Sequence, residues 1–193
     1  MAQMQLLEIA LNPLDVVYTP DWVARDVVSH FNPSGVCLDP CMGDGAFYKY
    51  LPAGSHWCEI EKGKDFFKWN CPVDWIVSNP PFNDYYKFFV HSFEVADNVL
   101  YVFPFHKIFQ SYRNLELVFN YGGIPEIYIL GRGRVVGWEL GFAVGAVWFK
   151  RGYTGPTMYT FRVPPSNKRV QPTADHAESD NVDQDEHQVR CGG

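Results

Sequence analysis

Residues 74–82, which read DWIVSNPPF, constrain the fold of this chain more than any other segment. The segment begins as a short, mostly apolar run, which is typical of a buried strand. Two prolines then stop the strand, because proline donates no backbone hydrogen bond and pushes the preceding residue out of the helical region. The stiff strand end presents the Asn79 side chain, bare carbonyls and the Phe82 ring, a set that suits a planar amide or an aromatic amine. An alternative explanation of the same residues is a proline-rich turn that packs Phe82 into the core.

A second motif lies upstream, where a short apolar strand runs into Asp39 and then into a loop that contains Gly43 and Gly45. Glycine permits a positive φ and lets a ligand approach the backbone closely. Residues 46–51 can start a helix, and a helix N-terminus after such a loop favours a carboxylate or a phosphate. The loop lacks the third glycine of the dinucleotide fingerprint and the Gly-Lys-Ser/Thr of a phosphate loop, so a tight strand-to-helix turn stays open as an alternative.

Two acidic residues follow at positions that a nucleotide-like ligand requires. Residues 56–60 read as a second strand ending in an acid, where Glu59 can accept hydrogen bonds from ribose hydroxyls. Asp65 comes shortly afterwards and can accept from an exocyclic amine, while Phe66 can line an adenine face. Taken singly, each carboxylate also fits a solvated loop. Their order, each at a strand end or just after one, favours the binding interpretation.

In this order the motifs resemble the S-adenosylmethionine-dependent methyltransferases that modify exocyclic amino groups, and among these the DNA adenine-N6 group most closely. The Thr-Pro segment ahead of the glycine loop, with Asn-Pro-Pro after it, is the order of the gamma arrangement. The resemblance covers residues 15–150. The motifs that carry it are Val17-Tyr18-Thr19-Pro20, Asp39-Pro40-x-x-Gly43-x-Gly45, Glu59, Asp65-Phe66 and Asn79-Pro80-Pro81-Phe82.

The resemblance implies that S-adenosylmethionine is the cofactor and that no metal is required. It implies that the Asn79 side-chain oxygen and the Pro80 carbonyl accept the two N–H bonds of the target amine, beside Pro81. Phe82 would then stack on the target base. The residues that it assigns to cofactor binding are Tyr18, Thr19, Pro20, Asp39, Pro40, Gly43, Gly45, Glu59, Ile60, Asp65, Phe66 and Asn79.

The substrate that the resemblance favours is N6 of adenine in DNA. Adenine in RNA and the glutamine amide of a protein present the same planar NH2 and stay open, as does a catalytically idle subunit that only binds S-adenosylmethionine. No separate target-recognition domain fits in the foldable part of the chain, so three explanations stay open: relaxed specificity, recognition supplied by a specificity partner or a second copy, or a substrate other than DNA. Basic residues that could contact the substrate, or simply be solvated surface charges, are Arg132, Arg134, His106 and Lys107.

Strand-like and helical stretches alternate along the chain, which predicts an α/β layered fold. The resemblance makes this a Rossmann-like class I methyltransferase fold, with a central, mostly parallel sheet and a terminal antiparallel hairpin strand. Periodicity predicts helices over 21–31, 85–96 and 106–119, and strands over 99–103, 124–130 and 142–150.

A single catalytic domain is expected over residues 1–163. Beyond it the composition becomes polar and acidic with almost no aliphatic residues, so 164–193 is predicted to be a disordered acidic tail.

The composition is that of a globular protein, with 47% hydrophobic residues in 193. A net charge of -6 is not typical of a strong non-specific nucleic-acid binder. The five cysteines form no Cys-x-x-Cys pair, which favours neither a disulfide framework nor a zinc site. The N-terminus lacks the layout of a signal peptide and no apolar stretch is long enough to span a bilayer. We therefore expect a reduced, cytoplasmic protein with no membrane partner.

Overall fold

The computed structural model describes residues 17–83, 85–139 and 141–163. Short 3-10 turns connect several of the longer elements. The helices are α1 (Asp21–Phe31), α2 (Tyr85–Val95) and α3 (Tyr112–Tyr121), and the strands are β1 (Cys37–Asp39), β2 (His56–Trp57), β3 (Val73–Ser78), β4 (Ala96–Phe103), β5 (Gly122–Arg132), β6 (Ala143–Arg151) and β7 (Met158–Phe161).

All seven strands join in one sheet, in the order β2-β1-β3-β4-β6-β5-β7. Strands β1 to β4 pair in parallel, and β7 is parallel to β5. Strand β6 is antiparallel to both β4 and β5, so β5 points the same way as β1 to β4. The expected α/β fold, mostly parallel with one antiparallel hairpin, is confirmed. The carboxyl ends of β1 to β5 share one side of the sheet, named here the carboxyl edge, which is where ligands bind in folds of this type.

The helices cover both faces of the sheet and bury its apolar strands. Helix α1 lies on one face, where its Phe31 ring packs edge-on against Trp148 of β6. Helix α2 lies on the opposite face, where Phe89 contacts the rings of Tyr101 and Phe149. Strands β3 and β4 lie between these layers, and their near-continuous apolar composition reflects burial on both sides.

Two local expectations are corrected, and one strand was not predicted. The helix predicted after Gly45 is only a 3-10 turn over Tyr48–Tyr50, because Pro52 holds Leu51 in an extended conformation. The helix predicted over 106–119 is broken at Ser111, whose backbone is extended, and a 3-10 turn over Phe105–Gln110 precedes α3. Strand β7 was not predicted, since its mostly exposed residues show no alternating burial.

The predicted tail over 164–193 lies outside the described residues, as do residues 1–16. Among the helices that the structure describes, none is long and apolar enough to cross a membrane.

Candidate active site

One cavity of about 290 Å³ lies at the carboxyl edge and is lined from both of the motifs that the sequence singles out. The glycine loop after β1 forms one wall, and the strand end after β3 forms another. The sequence-predicted residues that line this cavity are Tyr18, Thr19, Pro40, Gly43, Glu59, Ile60, Asp65, Phe66, Asn79, Pro80, Pro81 and Phe82.

The glycine loop is held open by the acid that follows β2. Gly43 has a φ of 51°, and its N–H donates to Oε2 of Glu59 across 2.7 Å. The ammonium of Lys62 donates to the Gly43 carbonyl at 3.0 Å. A side chain at this position would meet the Tyr18 ring at 3.5 Å, so the ring lies directly over the loop. Glu59 therefore orders the loop as well as facing the cavity.

Asp39 was expected at the cofactor but does not line the cavity. Its side chain is fully buried beneath the loop, where Oδ1 accepts from the Ser78 hydroxyl at 2.7 Å and from the Cys41 N–H at 3.3 Å. Oδ2 has no partner among the described residues. Burial raises the pKa of the carboxyl to about 7, although the Ser78 hydrogen bond opposes the shift.

Pro20 and Gly45 also lie outside the cavity lining. The Pro20 carbonyl accepts hydrogen bonds from Val23 and Ala24, and so starts α1. Gly45 has a φ of 83° and closes a turn through its N–H to the Met42 carbonyl. Both residues shape neighbouring backbone without facing the cavity.

Another wall of the cavity contains an acid and a pair of aromatic residues. Asp65 lines the cavity, and its Oδ1 also caps the turn that follows by accepting from the Phe67 N–H at 3.0 Å. The Phe66 ring is buried and stacks on Phe88 of α2, with centroids 5.6 Å apart. Ile60 is 62% exposed and lines the same cavity, so its side chain is available to a ligand.

The Asn79 side chain is fixed at one end and unpaired at the other. Its Nδ2 donates to the Val17 carbonyl at 2.8 Å, which directs the amide. Its Oδ1 is buried and has no partner among the described residues. A buried acceptor without a donor costs about 1–3 kcal/mol, so a ligand with an N–H group would relieve that cost.

Phe82 lies at the cavity with its ring held by two neighbours. The Tyr85 ring lies 5.7 Å away, and Trp138 meets Phe82 edge-to-face at the same distance. The Trp138 Nε1–H donates to the Tyr18 carbonyl at 2.9 Å. Trp138 thus connects the Thr-Pro segment with the Asn-Pro-Pro-Phe segment, a role that no sequence motif indicates.

The basic residues predicted to contact substrate do not line the cavity. Lys107 contacts a residue of the lining, because its ammonium donates to the Phe82 carbonyl at 3.1 Å. The His106 ring lies 4.9 Å from that of Phe142. Arg132 ends β5 and Arg134 lies in the turn that follows, and both side chains are exposed.

Sequence reasoning missed part of the lining. Most of the missed residues adjoin a predicted motif residue, so the motif itself pointed towards them. Phe88 lies on α2 and carries no such signal. The cavity residues missed are Val17, Cys41, Met42, Asp44, Ala46, Phe47, Glu61, Phe67 and Phe88.

No family model and no curated protein matches this chain. The solved structures that share its fold include three proteins with provisionally assigned functions. A modification subunit of a type I restriction enzyme from Vibrio vulnificus is 18% identical, with a TM-score of 0.55 over 82% of this chain and 50% of that chain. A class I S-adenosylmethionine-dependent methyltransferase from Listeria monocytogenes is 11% identical, with a TM-score of 0.61 over 79% and 67% of the two chains.

The third structure is an RNA methyltransferase from Pyrococcus horikoshii, which is 18% identical, with a TM-score of 0.54 over 73% of this chain and 91% of that chain. The match covers half of the Vibrio subunit, so the present chain spans only about half the length of that protein. At these identities the likeness establishes the fold, which is that of the class I methyltransferases.

Proposed function

We propose that this protein transfers a methyl group from S-adenosylmethionine to an exocyclic amino group, and that the group is N6 of adenine in DNA. The observation that carries the proposal is that Asn79, whose buried Oδ1 has no partner among the described residues, lines the same cavity as the glycine loop. One wall of the cavity suits a ligand that donates a group, and the strand end offers hydrogen-bond acceptors to a second ligand. Two such sites in one cavity suit the transfer of a group between the two ligands. The names of two structural neighbours agree with methyl transfer, and the neighbours include a modification subunit of a type I restriction enzyme and an RNA methyltransferase.

The cavity fits the cofactor by its charge and by its hydrogen-bond acceptors. Its acidic lining residues are Asp44, Glu59, Glu61 and Asp65, and none of the described lining residues is Lys or Arg. Such a lining favours a cationic ligand. Glu59 would accept hydrogen bonds from the ribose hydroxyls and Asp65 from the adenine amine, with Ile60 and Phe66 lining the adenine faces. S-adenosylmethionine, when bound, supplies an electrophilic methyl carbon on a positively charged sulfur.

The strand end after β3 supplies the acceptors for the target amine. The lone pair of an adenine amine is delocalised into the ring, which makes the nitrogen a weak nucleophile. Asn79 Oδ1 and the Pro80 carbonyl would accept its two N–H bonds, draw the lone pair back to nitrogen and stabilise the positive charge that develops. Prearranged groups of this kind are worth about 2.7–4 kcal/mol each, by analogy with oxyanion-hole donors. The bond from Asn79 to Val17 keeps the acceptor in place beforehand.

Phe82 would hold the target base against these acceptors. Its ring borders the cavity and is braced by Trp138 and Tyr85, so it offers a fixed stacking face. Stacking of this kind is worth about 1–3 kcal/mol per base. That gain offsets part of the few kcal/mol needed to bring a base out of a duplex.

Incubation with methyl-labelled S-adenosylmethionine tests the proposal. DNA, RNA and protein acceptors are separated after reaction, and Asn79→Ala serves as the matched inactive variant. We expect label at adenine N6 in DNA with the unmodified protein and almost none with the variant. Label in RNA or protein alone would overturn the DNA assignment. Bound cofactor with no label in any acceptor would indicate an idle binding subunit.

A further inference from the structure

The two sides of the carboxyl edge differ in charge. The cofactor side carries the acidic cavity residues described above. On the far side of Phe82, residues 98–115 and 127–138 contain no Asp or Glu, although the whole chain has a net charge of -6. These two segments include the ends of β4 and β5, the connection from β4 to α3 and the first part of the connection from β5 to β6, which continues through the exposed Glu139. The cationic side chains that they carry at this edge are His106 (when protonated), Lys107, Arg113, Arg132 and Arg134.

A continuous series of contacts connects Phe82 with the two arginines. Lys107 donates to the Phe82 carbonyl at 3.1 Å, and its neighbour His106 stacks obliquely on Phe142 at 4.9 Å. The Phe142 carbonyl in turn accepts from the Gly133 N–H at 2.9 Å, and Gly133 lies between the arginines. We name this surface the aromatic–basic strip; its members are His106, Lys107, Arg132, Arg134 and Phe142.

Aromatic rings are exposed on this surface, where burial would be expected if they served only the core. Phe142 is 57% exposed beside His106. In the connection from β4 to α3, Phe109 is 50% exposed, and Tyr112 at the start of α3 is 91% exposed. Exposed rings interleaved with cations are the features by which proteins bind single strands, since bases stack on the rings while phosphates meet the positive charges.

We infer that the aromatic–basic strip binds the unpaired nucleic-acid strand that flanks the target base. The inference rests on the proposed function, because the strip begins at Phe82. An unpaired strand is the occupant that fits, since base faces are hidden inside a duplex and cannot reach Phe142. A peptide can also contact rings and cations, but a single nucleic-acid strand supplies stacking faces and phosphates together, which matches a surface that has both. The target nucleotide thus enters the cavity while its neighbours lie along the strip.

Binding measurements on the full chain test this inference separately from catalysis. Fluorescence anisotropy compares a labelled DNA strand of about 16 nucleotides with the same sequence as a blunt duplex. We expect the single strand to bind at least about tenfold more tightly, in the Asn79→Ala variant as well as in the unmodified protein. Equal or tighter binding of the duplex would overturn the inference, and so would competition by a glutamine-containing peptide in place of the strand.

Substitutions separate stacking from phosphate contact. Phe142→Ala should weaken single-strand binding by about tenfold without altering its salt dependence. Arg132→Gln combined with Arg134→Gln should reduce the slope of log K against log salt by about 1.4, since each phosphate contact contributes roughly 0.7 on single strands. Phe119→Ala is the matched control, because Phe119 is 80% exposed but lies in the far half of α3.

The outcomes distinguish the two proposals. If the strand binds as expected and no acceptor is methylated, the proposed function fails and the strip still binds nucleic acid. If duplex DNA is methylated while the Phe142 and arginine variants bind like the unmodified protein, the proposed function holds and the role of the strip is wrong. Retained circular dichroism and an unchanged melting temperature would show that each variant is folded.

Discussion

The Ser78 hydroxyl donates to Oδ1 of the buried Asp39 across 2.7 Å, and this contact joins the two halves of the candidate site. Asp39 ends β1 and supports the glycine loop through the Cys41 N–H, whereas Ser78 ends β3 directly before Asn79. A shift of the end of β1 would therefore displace the end of β3, and the reverse. Asp39 acts through the backbone of both walls and does not touch the cavity itself.

The pH dependence of stability should report the buried Asp39. Its pKa of about 7 in the folded state lies above the ordinary value of 3.8, so the folded protein binds the extra proton between these limits. Unfolding releases that proton, and Asp39 therefore lowers the free energy of unfolding as the pH rises from about 4 to 7, by up to about 4 kcal/mol. Asn at this position keeps an acceptor for Ser78 but does not titrate.

Urea unfolding at several pH values compares the protein with Asp39→Asn. The free energy of unfolding of the unmodified protein, minus that of the variant, should fall steadily through this interval and level off above about pH 7. A difference that is constant with pH would show that the carboxyl is not perturbed by its burial.

Asn79→Ala should reduce turnover by about 100-fold to 1000-fold, because it removes one prearranged acceptor for the amine. Affinity for S-adenosylmethionine should change little, which isothermal titration can measure. Asn98→Ala is a suitable control: the Asn98 amide also donates to a backbone carbonyl, that of Asp74 at 3.1 Å, but it lies in β4 and does not line the cavity. Loss of cofactor binding in the Asn79 variant would make the residue structural.

The ring of Phe82, more than its bulk, should matter for the substrate. Phe82→Tyr retains an aromatic ring that Tyr85 and Trp138 hold in place and on which a base can stack, so the variant should keep most of the activity. Phe82→Leu retains much of the volume without the face, and should raise KM for the nucleic acid by about tenfold or more. Steady-state kinetics with a DNA acceptor distinguish the two variants, and an equal loss in both would argue against stacking.

The sequence was sufficient for residues whose position at a strand end determines where they lie. Glu59 and Asn79 follow parallel strands, and parallel strands bring their carboxyl ends to one edge, so both residues meet at one cavity. Asp39 shows the limit of this reasoning. Its spacing located it at a strand end but did not indicate that its carboxylate lies beneath the loop, away from the cavity.

Residues that reach the site from distant parts of the chain could not be predicted. Trp138 comes from the connection between β5 and β6, and its contacts with Tyr18 and Phe82 depend on how the hairpin folds back. Phe88 lies in α2, which contains several aromatic residues, and nothing in the sequence indicates which of them faces the cavity. Strand β7 was not predicted, because it lies at the exposed edge of the sheet and lacks the alternation of apolar and polar residues on which strand prediction depends.

Two buried tyrosines provide a test of the packing around Phe82. The Tyr85 hydroxyl is buried and has no partner among the described residues, whereas the Tyr121 hydroxyl donates to the Ala96 carbonyl at 3.1 Å. Tyr85→Phe keeps the ring against Phe82 and removes an unsatisfied group, so it should leave stability unchanged or raise it by about 1 kcal/mol. Tyr121→Phe removes an existing hydrogen bond and should lower stability by about 0.5–1.5 kcal/mol. The loss should not be larger, because Arg151 also donates to the Ala96 carbonyl and keeps it paired. Urea unfolding of both variants measures the contrast. Destabilisation by Tyr85→Phe as large as that by Tyr121→Phe would mean that the Tyr85 hydroxyl does have a partner in solution.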